Sequence, residues 1–579
     1  MLGVDYYPEH WPLERMDTDL SIMKNNGLEL IRVGEFLWSK LEPKEDVYDF
    51  SLLDTLFSRC DALGLKIILG TPSATPPAWL TRKHPDMLQK DALGHERPFG
   101  SRRHYCLNSV TYRSYVRDIV QRLANRYGHA TALYAWQIDN EFGCEDTTYC
   151  YCEKCDQAFQ HYLERKYQTV SALNQSWGTV FWSQEYGSFY EIRTPRKTNA
   201  RLNPTHVLDF YRFSTHSADT FAQDQIDVIR AGSEAPITHN FMVGFTELDY
   251  VALRKQYDFI SYDNYQPTEQ YDPLISEFNF DLMWSLKEKP FTVMEQQPGR
   301  VNWQQRNQYY PPEWLRATTK QAFAFGAENV VYFRYRPLYS GAEQYHSGLL
   351  DYTGNPEKSP RISVVKDLAA EDLKPRKKPA KTGLFFDYEN AWMHQINTVT
   401  KDLNYVEKVF EVYVAMRNLG YDIQFFFRDS DLSLYERVLL PYAICIPEPI
   451  RRQLNAFPGK VFLTCASDLK NEKNHIHSDR SLGLNFPSLA FEIRDFGAVS
   501  KQPVRWIAPD GTLQPLPELL EGSLWYEEID LRTGRVLGQW AGPYPGPAIV
   551  SSEDRRLLYT GTCFPPETLR EILRYWLQD

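Results

Sequence analysis

Nowhere in the 579 residues is there an apolar run long enough to cross a bilayer, which argues against a helical membrane protein. Dense basic runs are missing too. The closest is the stretch 374–381, and with 64 Lys and Arg against 75 Asp and Glu the chain carries a formal charge of -11. Such a surface gives a polyanion no electrostatic reason to bind, so nucleic acid is excluded as a partner. The N-terminal residues enter a strand-like segment at 2–7 without a charged leader or an apolar signal core, and the expectation that goes with this is a soluble, cytoplasmic protein. Cysteine is scarce and odd in number, nine in all, a poor fit to a disulfide framework. Four of the nine, Cys144, Cys150, Cys152 and Cys155, crowd into one short stretch, as a thiolate metal site would require. Internal repeats and low-complexity tracts are absent. What is abundant is core material: 43% hydrophobic and 14% aromatic residues suffice for more than one folded domain.

Up to about residue 340, apolar or β-branched runs alternate with longer helical patterns, the order of βα units around a parallel sheet. Eight such runs fall at 2–8, 28–36, 65–72, 132–142, 237–243, 259–265, 291–297 and 329–336, and eight in this order predict a closed (β/α)₈ TIM barrel. Helical stretches are predicted at 15–25, 51–62, 110–127 and 312–325, with Asn26-Gly27 and Leu63-Gly64 as stop signals. A long insert rich in Trp and Tyr, about 144–214, separates the fourth and fifth runs and is expected to cover the barrel mouth. The polar, proline-bearing stretch 372–381 reads as a linker, which sets the domains at 1–372 and 382–579. Runs at 383–386, 423–427, 438–441 and 460–463, with a helix at 405–418, mark the second domain as α/β, closed by a strand, a turn and a helix over 556–579.

In such a barrel the chemistry sits at the C-terminal ends of the strands. Two glutamates stand there. Glu141 follows Asn140 at the end of the fourth run, and Glu295 ends the seventh. These strands lie on nearly opposite sides of the barrel, so the two carboxyls can flank one bond of a substrate. Retaining glycoside hydrolysis needs that arrangement, with one carboxyl protonating the leaving oxygen and the other attacking the anomeric carbon across roughly 5 to 5.5 Å. A single strand-end glutamate reads more naturally as a solvated edge residue; the pair, with an adjacent Asn and many aromatic faces for sugar rings, points to glycosidase chemistry. The mechanism requires Glu141 to be mostly neutral, with a raised pKa, while Glu295 is ionised.

The sequence resembles the family 42 glycoside hydrolases, the β-galactosidases of clan A, along nearly its whole length. The landmarks are GVDYYPEHWP from Gly3, IRVGEFLWSKLEP from Ile31, GTPSATPPAWL from Gly70, GSRRHYCLNS from Gly100, WQIDNEFGC from Trp136, MEQQPGRVNW from Met294 and EQYHSGLLD from Glu343. The resemblance implies a retaining β-galactosidase acting on terminal β-D-galactosyl residues, with Glu141 as acid/base and Glu295 as nucleophile. By the same resemblance Arg102, Asn140, Trp303, Glu343 and His346 contact the galactosyl unit. Tyr265, at the end of the sixth run, is placed to hydrogen-bond the nucleophile. It also implies that Cys106 joins Cys150, Cys152 and Cys155 around a structural Zn²⁺ with no catalytic role, and that the second, amidotransferase-like domain forms a homotrimer. The expectation is that the family's small C-terminal β domain is absent.

Three rival readings follow. The same machinery could act on α-L-arabinopyranosides or β-D-fucosides, which differ from galactosides only around C5 and C6. A catalytically silent sugar-binding protein would keep the aromatic pocket but lose a carboxylate, and both are retained. A zinc hydrolase would need an open coordination position, which four thiolates close.

Overall fold

The structure is a computed structural model that describes residues 1–242, 244–266, 271–478, 483–507 and 519–578. The chain divides into two compact units. The first comprises Met1–Val170, Tyr186–Ala200 and Phe210–Lys378; the second comprises Ser171–Glu185, Arg201–Asp209 and Pro379–Asp579. Two pieces of the 144–214 insert therefore belong to the second unit.

The first unit is the (β/α)₈ barrel. Its strands are β1 (Leu2–Asp5), β2 (Leu30–Val33), β3 (Lys66–Gly70), β4 (Leu133–Gln137), β5 (Ile237–Thr238), β6 (Asn240–Met242), β7 (Ser261–Asn264), β8 (Phe291–Gln296) and β9 (Ala327–Tyr332). They pair in parallel in the order β5-β4-β3-β2-β1-β9-β8-β7-β6. β5 and β6 are one predicted run interrupted at His239, so the eight runs read from the sequence close the barrel. Sequences such as LIRV and FTVMEQ are buried along their whole length, as strands covered on both faces must be. Helices follow the predicted pattern: Ser51–Leu63 stops at Gly64, whose φ of 65° is left-handed, and Val110–Tyr127 is capped by Ser109, whose side chain accepts from Tyr112 N.

Leu30, Ile68, Ala135, Met294 and Val331, one from each of five strands, form a buried cluster. Apart from Ala135, each of these side chains contributes roughly 1.5–3 kcal/mol of transfer free energy. Two residues further along β2 and β4 the inward positions become polar, Arg32 and Gln137, and the barrel's catalytic end begins. On β8 the change happens within one step. Register shifts between Val293 and Gln296 in the β8–β9 ladder, and between Tyr262 and Asp263 in the β7–β8 ladder, let Met294 pack in the cluster while Glu295 reaches the site.

The second unit holds a nine-stranded sheet in the order β11-β10-β12-β13-β21-β20-β19-β16-β17. Its parallel half is β10 (Thr382–Phe385), β11 (Ile423–Phe426), β12 (Arg437–Leu440), β13 (Lys460–Thr464) and β21 (Leu557–Thr560). These match the predicted runs, as do the helices Tyr405–Asn418 and Pro566–Leu577. The antiparallel half was not foreseen. It consists of β16 (Gln502–Trp506), β17 (Leu519–Gly522), β19 (Arg535–Trp540) and β20 (Pro547–Ser551). A separate three-stranded sheet joins β14 (Gly483–Phe486), β15 (Leu489–Gly497) and β18 (Tyr526–Thr533). β15 begins by alternating buried and half-buried positions, the signature of a strand with one face on a core.

Candidate active site

Both glutamates lie where β4 and β8 deliver them. A carboxyl oxygen from each of Glu141, Asp263 and Glu295 lies within 4.8 Å of the other two, and all three residues are buried. Oxygens this close are in keeping with the roughly 5–5.5 Å carboxyl separation of a retaining enzyme.

The turn after β4 is strained and heavily braced. Asp139 and Glu141 have φ of 51° and 46°, and Arg103, opposite, has 59°. Thr71 Oγ1 accepts from Asp139 N at 2.7 Å, Asn240 Oδ1 from Glu141 N at 3.1 Å, and His239 Nε2 from Phe142 N at 3.2 Å. Ser73 Oγ and Tyr105 OH donate to the Asp139 carboxylate at 2.6 and 2.7 Å. Side chains of three neighbouring segments thus satisfy a backbone that could form neither helix nor strand bonds here.

Three guanidinium groups set the electrostatics. Arg32, fully buried on β2, donates from Nη1 to Glu295 Oε1 at 2.7 Å and to Asp5 Oδ1 at 3.1 Å, and from Nη2 to Asn140 Oδ1 at 2.5 Å. Tyr265 OH donates to the other oxygen of Glu295 at 2.6 Å. Arg103 Nη2 donates to Glu141 Oε2 at 2.6 Å, and Asn140 Nδ2 donates to the same oxygen at 3.1 Å. Burial pushes Glu295 up to about 7, an effect that Arg32 and the Tyr265 hydroxyl partly offset. Burial also raises Glu141, but Arg103 and Arg102 outweigh it and hold the group below the usual glutamate range. The raised value expected of Glu141 is therefore not found in the free protein. Glu141 is the ionised, arginine-paired carboxylate, because two arginines from the 100–103 loop face it.

The remaining expected contacts line the same mouth. Arg102 sits 3.8 Å from Glu141 Oε2 and 3.3 Å from Glu145. Trp303 is half exposed and lies near-perpendicular to the Tyr265 ring, with centroids 4.7 Å apart. His346 is buried beside Trp303, 5.2 Å between centroids, and burial pushes its imidazole down to about 3, so it is neutral. Its Nε2 has no protein partner. Glu343 reaches Arg334, Oε2 to Nη1 3.6 Å. Asn140 Oδ1 also accepts from Asn240 Nδ2 at 3.0 Å.

Sequence reasoning overlooked Arg32, Arg103, Asn240 and Asp263. For two of them the signal was present: a lone charge inside the apolar run Ile31-Arg32-Val33, and another in Tyr262-Asp263-Asn264. A charge in a strand buried on both faces has to be paired or functional.

The four cysteines expected to bind metal form a second cluster. Cys106, Cys150, Cys152 and Cys155 are buried with their sulfurs all within 4.8 Å of one another; Cys106 Sγ lies 3.4 Å from Cys155 Sγ and 3.5 Å from Cys152 Sγ. Sulfurs at the corners of a tetrahedron with metal–sulfur bonds of about 2.3 Å stand about 3.8 Å apart. The donor set and spacing fit a divalent ion of the zinc type. Cys144 stands outside this set.

A (β/α)₈ barrel with two facing carboxyls at its catalytic end, one on an Asn-Glu turn and one bonded by a strand tyrosine, defines a glycoside hydrolase. Residues 5–371 match the family 42 glycoside hydrolase model, described as β-galactosidase, and residues 380–579 match its β-galactosidase trimerisation domain. The chain belongs to the family 42 β-galactosidases. A β-galactosidase of Thermus thermophilus is 40% identical over 491 residues, 82% of this chain and 76% of the relative. BgaH of Haloferax lucentense is 37% identical over 83% of this chain and 75% of the relative. Among solved structures, the β-galactosidase of the psychrophilic Marinomonas ef1 superposes with a TM-score of 0.92 at 33% identity, covering 99% of this chain and 90% of that one.

Proposed function

We propose that the protein hydrolyses terminal non-reducing β-D-galactosyl residues with retention, by double displacement. The observation that carries this is the approach of the Glu141 and Glu295 carboxyls to within 4.8 Å. Glu295 attacks the anomeric carbon; Arg32 and Tyr265 hold its two oxygens apart and aimed. Glu141 gives a proton to the leaving oxygen, then takes one from the water that cleaves the glycosyl ester. Formation of that ester removes the negative charge of Glu295. Arg102, Asn140, Trp303, Glu343 and His346 are the proposed galactosyl contacts, and the placement of all five around the same mouth supports this. Proton NMR of the first-formed galactose tests the stereochemistry: β-galactose is expected, and α-galactose would mean inversion. Rates on matched aryl β-D-galactoside, α-L-arabinopyranoside and β-D-fucoside test the sugar, with the galactoside expected to be fastest.

The four-thiolate cluster is the proposed site of a structural Zn²⁺. When bound, the ion would tie the Cys150–Cys155 turn to the loop that carries Arg102 and Arg103, with all four positions taken by sulfur and none left for substrate. A homotrimer is proposed for the assembly, supported by the match of residues 380–579 to a trimerisation domain. No helix among the described residues is long and apolar enough to cross a membrane. A cytoplasmic location is proposed, supported by nine cysteines none of which is in a disulfide, Cys465 and Cys563 included with unbonded sulfurs 3.8 Å apart.

A further inference from the structure

A two-carboxyl mechanism leaves one carboxyl in this site unexplained. Asp263 lies on β7 in register with Glu295 and is 1% exposed. Its neighbours are each matched to a cation, Glu141 to Arg103 and Glu295 to Arg32. Asp263 has no ion-pair partner among the described residues: its Oδ2 accepts from Asn240 Nδ2 at 2.7 Å, and its Oδ1 meets no donor. A carboxyl oxygen of Asp263 lies within 4.8 Å of one of Glu141. Two buried carboxyls that close repel if both are ionised, a single proton on the pair removes the repulsion, and a buried carboxylate with an unpaired oxygen is costly.

We propose that Asp263 and Glu141 share a single proton, and that Asp263 is a positioning residue that stores the proton Glu141 delivers to the glycosidic oxygen. This rests on the galactosidase reading above. The proton's resting place follows from the surroundings. The titratable and charged groups facing Asp263 are Arg32 on β2, Glu141 after β4, Glu295 on β8, and the phenols Tyr250, Tyr262 and Tyr265. Burial pushes all three phenols well up, so they stay neutral. Burial likewise lifts Asp263 well above the aspartate range, and the charges on Glu295 and Glu141 add to this against the pull of Arg32. At rest the proton therefore sits on Asp263 while Glu141 is the arginine-paired anion, which resolves how an acid catalyst can be held in its ionised form.

The step balances. As the bond between the anomeric carbon and the glycosidic oxygen breaks, its electron pair stays on that oxygen; Asp263 hands the single shared proton to Glu141, which passes it on to that oxygen. Glu295 forms the new bond to carbon and loses its charge, so the pair becomes doubly ionised just as the third negative group disappears. In the second half, water adds to the anomeric carbon, the ester bond breaks, Glu295 regains its charge, and the water's proton returns to the pair.

Asp263→Asn is the test, because the amide is isosteric but donates to Glu141 and holds it ionised. For the wild type and this variant, kcat/KM would be measured against pH with a 2,4-dinitrophenyl galactoside, whose leaving group needs no proton, and with a phenyl galactoside, whose leaving group does. The expected result is a basic limb moved down by about one pH unit or more for the phenyl substrate. Its rate at neutral pH should fall roughly 10²-fold, while the dinitrophenyl rate changes by no more than about threefold. A limb that does not move, or an equal loss on both substrates, would leave Asp263 a merely structural residue and overturn the proposal. A wild type inert on every galactoside would sink the galactosidase reading, and this one with it. If Asp263→Asn does not fold, infrared difference spectra of wild type and Glu141→Gln at neutral pH give a second reading. One protonated-carboxyl band should vanish in the variant, since Asp263 then faces an amide donor and ionises; an unchanged band contradicts the shared proton.

Discussion

Arg32 Nη1 meets Glu295 Oε1 at 2.7 Å, a contact between residues 263 positions apart, and the same guanidinium stands 3.1 Å from Asp5 and 3.4 Å from Glu35. One buried cation thus compensates three buried carboxyls. Arg32→Met should leave them uncompensated and destabilise the barrel by about 3–5 kcal/mol. Denaturant unfolding of the variant at neutral pH measures this, and a midpoint equal to that of the wild type would contradict the compensation.

The Tyr265 hydroxyl donates 2.6 Å to Glu295, favours its ionised form and aims it. Tyr265→Phe should lower kcat roughly 10- to 100-fold with little change in KM. The sign of the pH effect is fixed. Losing a hydrogen bond to the carboxylate raises the pKa of Glu295, so the acid limb of the kcat/KM profile should move to higher pH. A shift toward lower pH would be incompatible with this role.

If Cys106, Cys150, Cys152 and Cys155 hold Zn²⁺, the purified protein should contain one zinc per chain by emission spectrometry. Cys155→Ser should lose most of it and melt at a lower temperature. Activity should survive brief exposure to a chelator at 25 °C for as long as the fold does, because the metal would offer no open position. Immediate inactivation of still-folded protein would assign the ion a catalytic part.

Glu527, buried in the second unit, accepts from Ala466 N at 2.7 Å, Trp525 Nε1 at 3.0 Å and Tyr559 OH at 2.6 Å, yet burial pushes it up to about 7. A raised carboxyl pKa means the folded state keeps its proton where the unfolded chain has lost it. The associated stability is complete below the unfolded value and drains away as the pH climbs from about 4.5 to about 7. The loss is on the order of 3 kcal/mol. Glu527→Gln removes this term, so its stability relative to wild type should improve between pH 5 and pH 8. A difference between the two proteins that does not vary with pH would refute it.

The barrel was legible because its signals are local. Runs such as KIILG and FTVMEQ announce buried strands, and Glu141 and Glu295 sit at strand ends where carboxylates are conspicuous. The protonation order was not legible, since it depends on Arg103, which reaches Glu141 from a loop 38 positions away, and on Asp263, whose neighbours are fixed only when the strands register. The antiparallel half of the second unit was hidden for a related reason. Strands such as β16, QPVRW, are short and mix polar residues and a proline with apolar ones, and their pairing is set by long-range partners that composition does not reveal. The membership of Ser171–Glu185 in the second unit is likewise a matter of packing.

The central claim, that Glu295 attacks and Glu141 transfers protons, is tested most directly by azide rescue of Glu295→Ala and Glu141→Ala on an activated aryl β-D-galactoside. The account predicts α-galactosyl azide from Glu295→Ala, by direct displacement, and β-galactosyl azide from Glu141→Ala, by attack on the glycosyl ester. Wild-type activity retained in either variant, or the two products exchanged, would contradict the assignment.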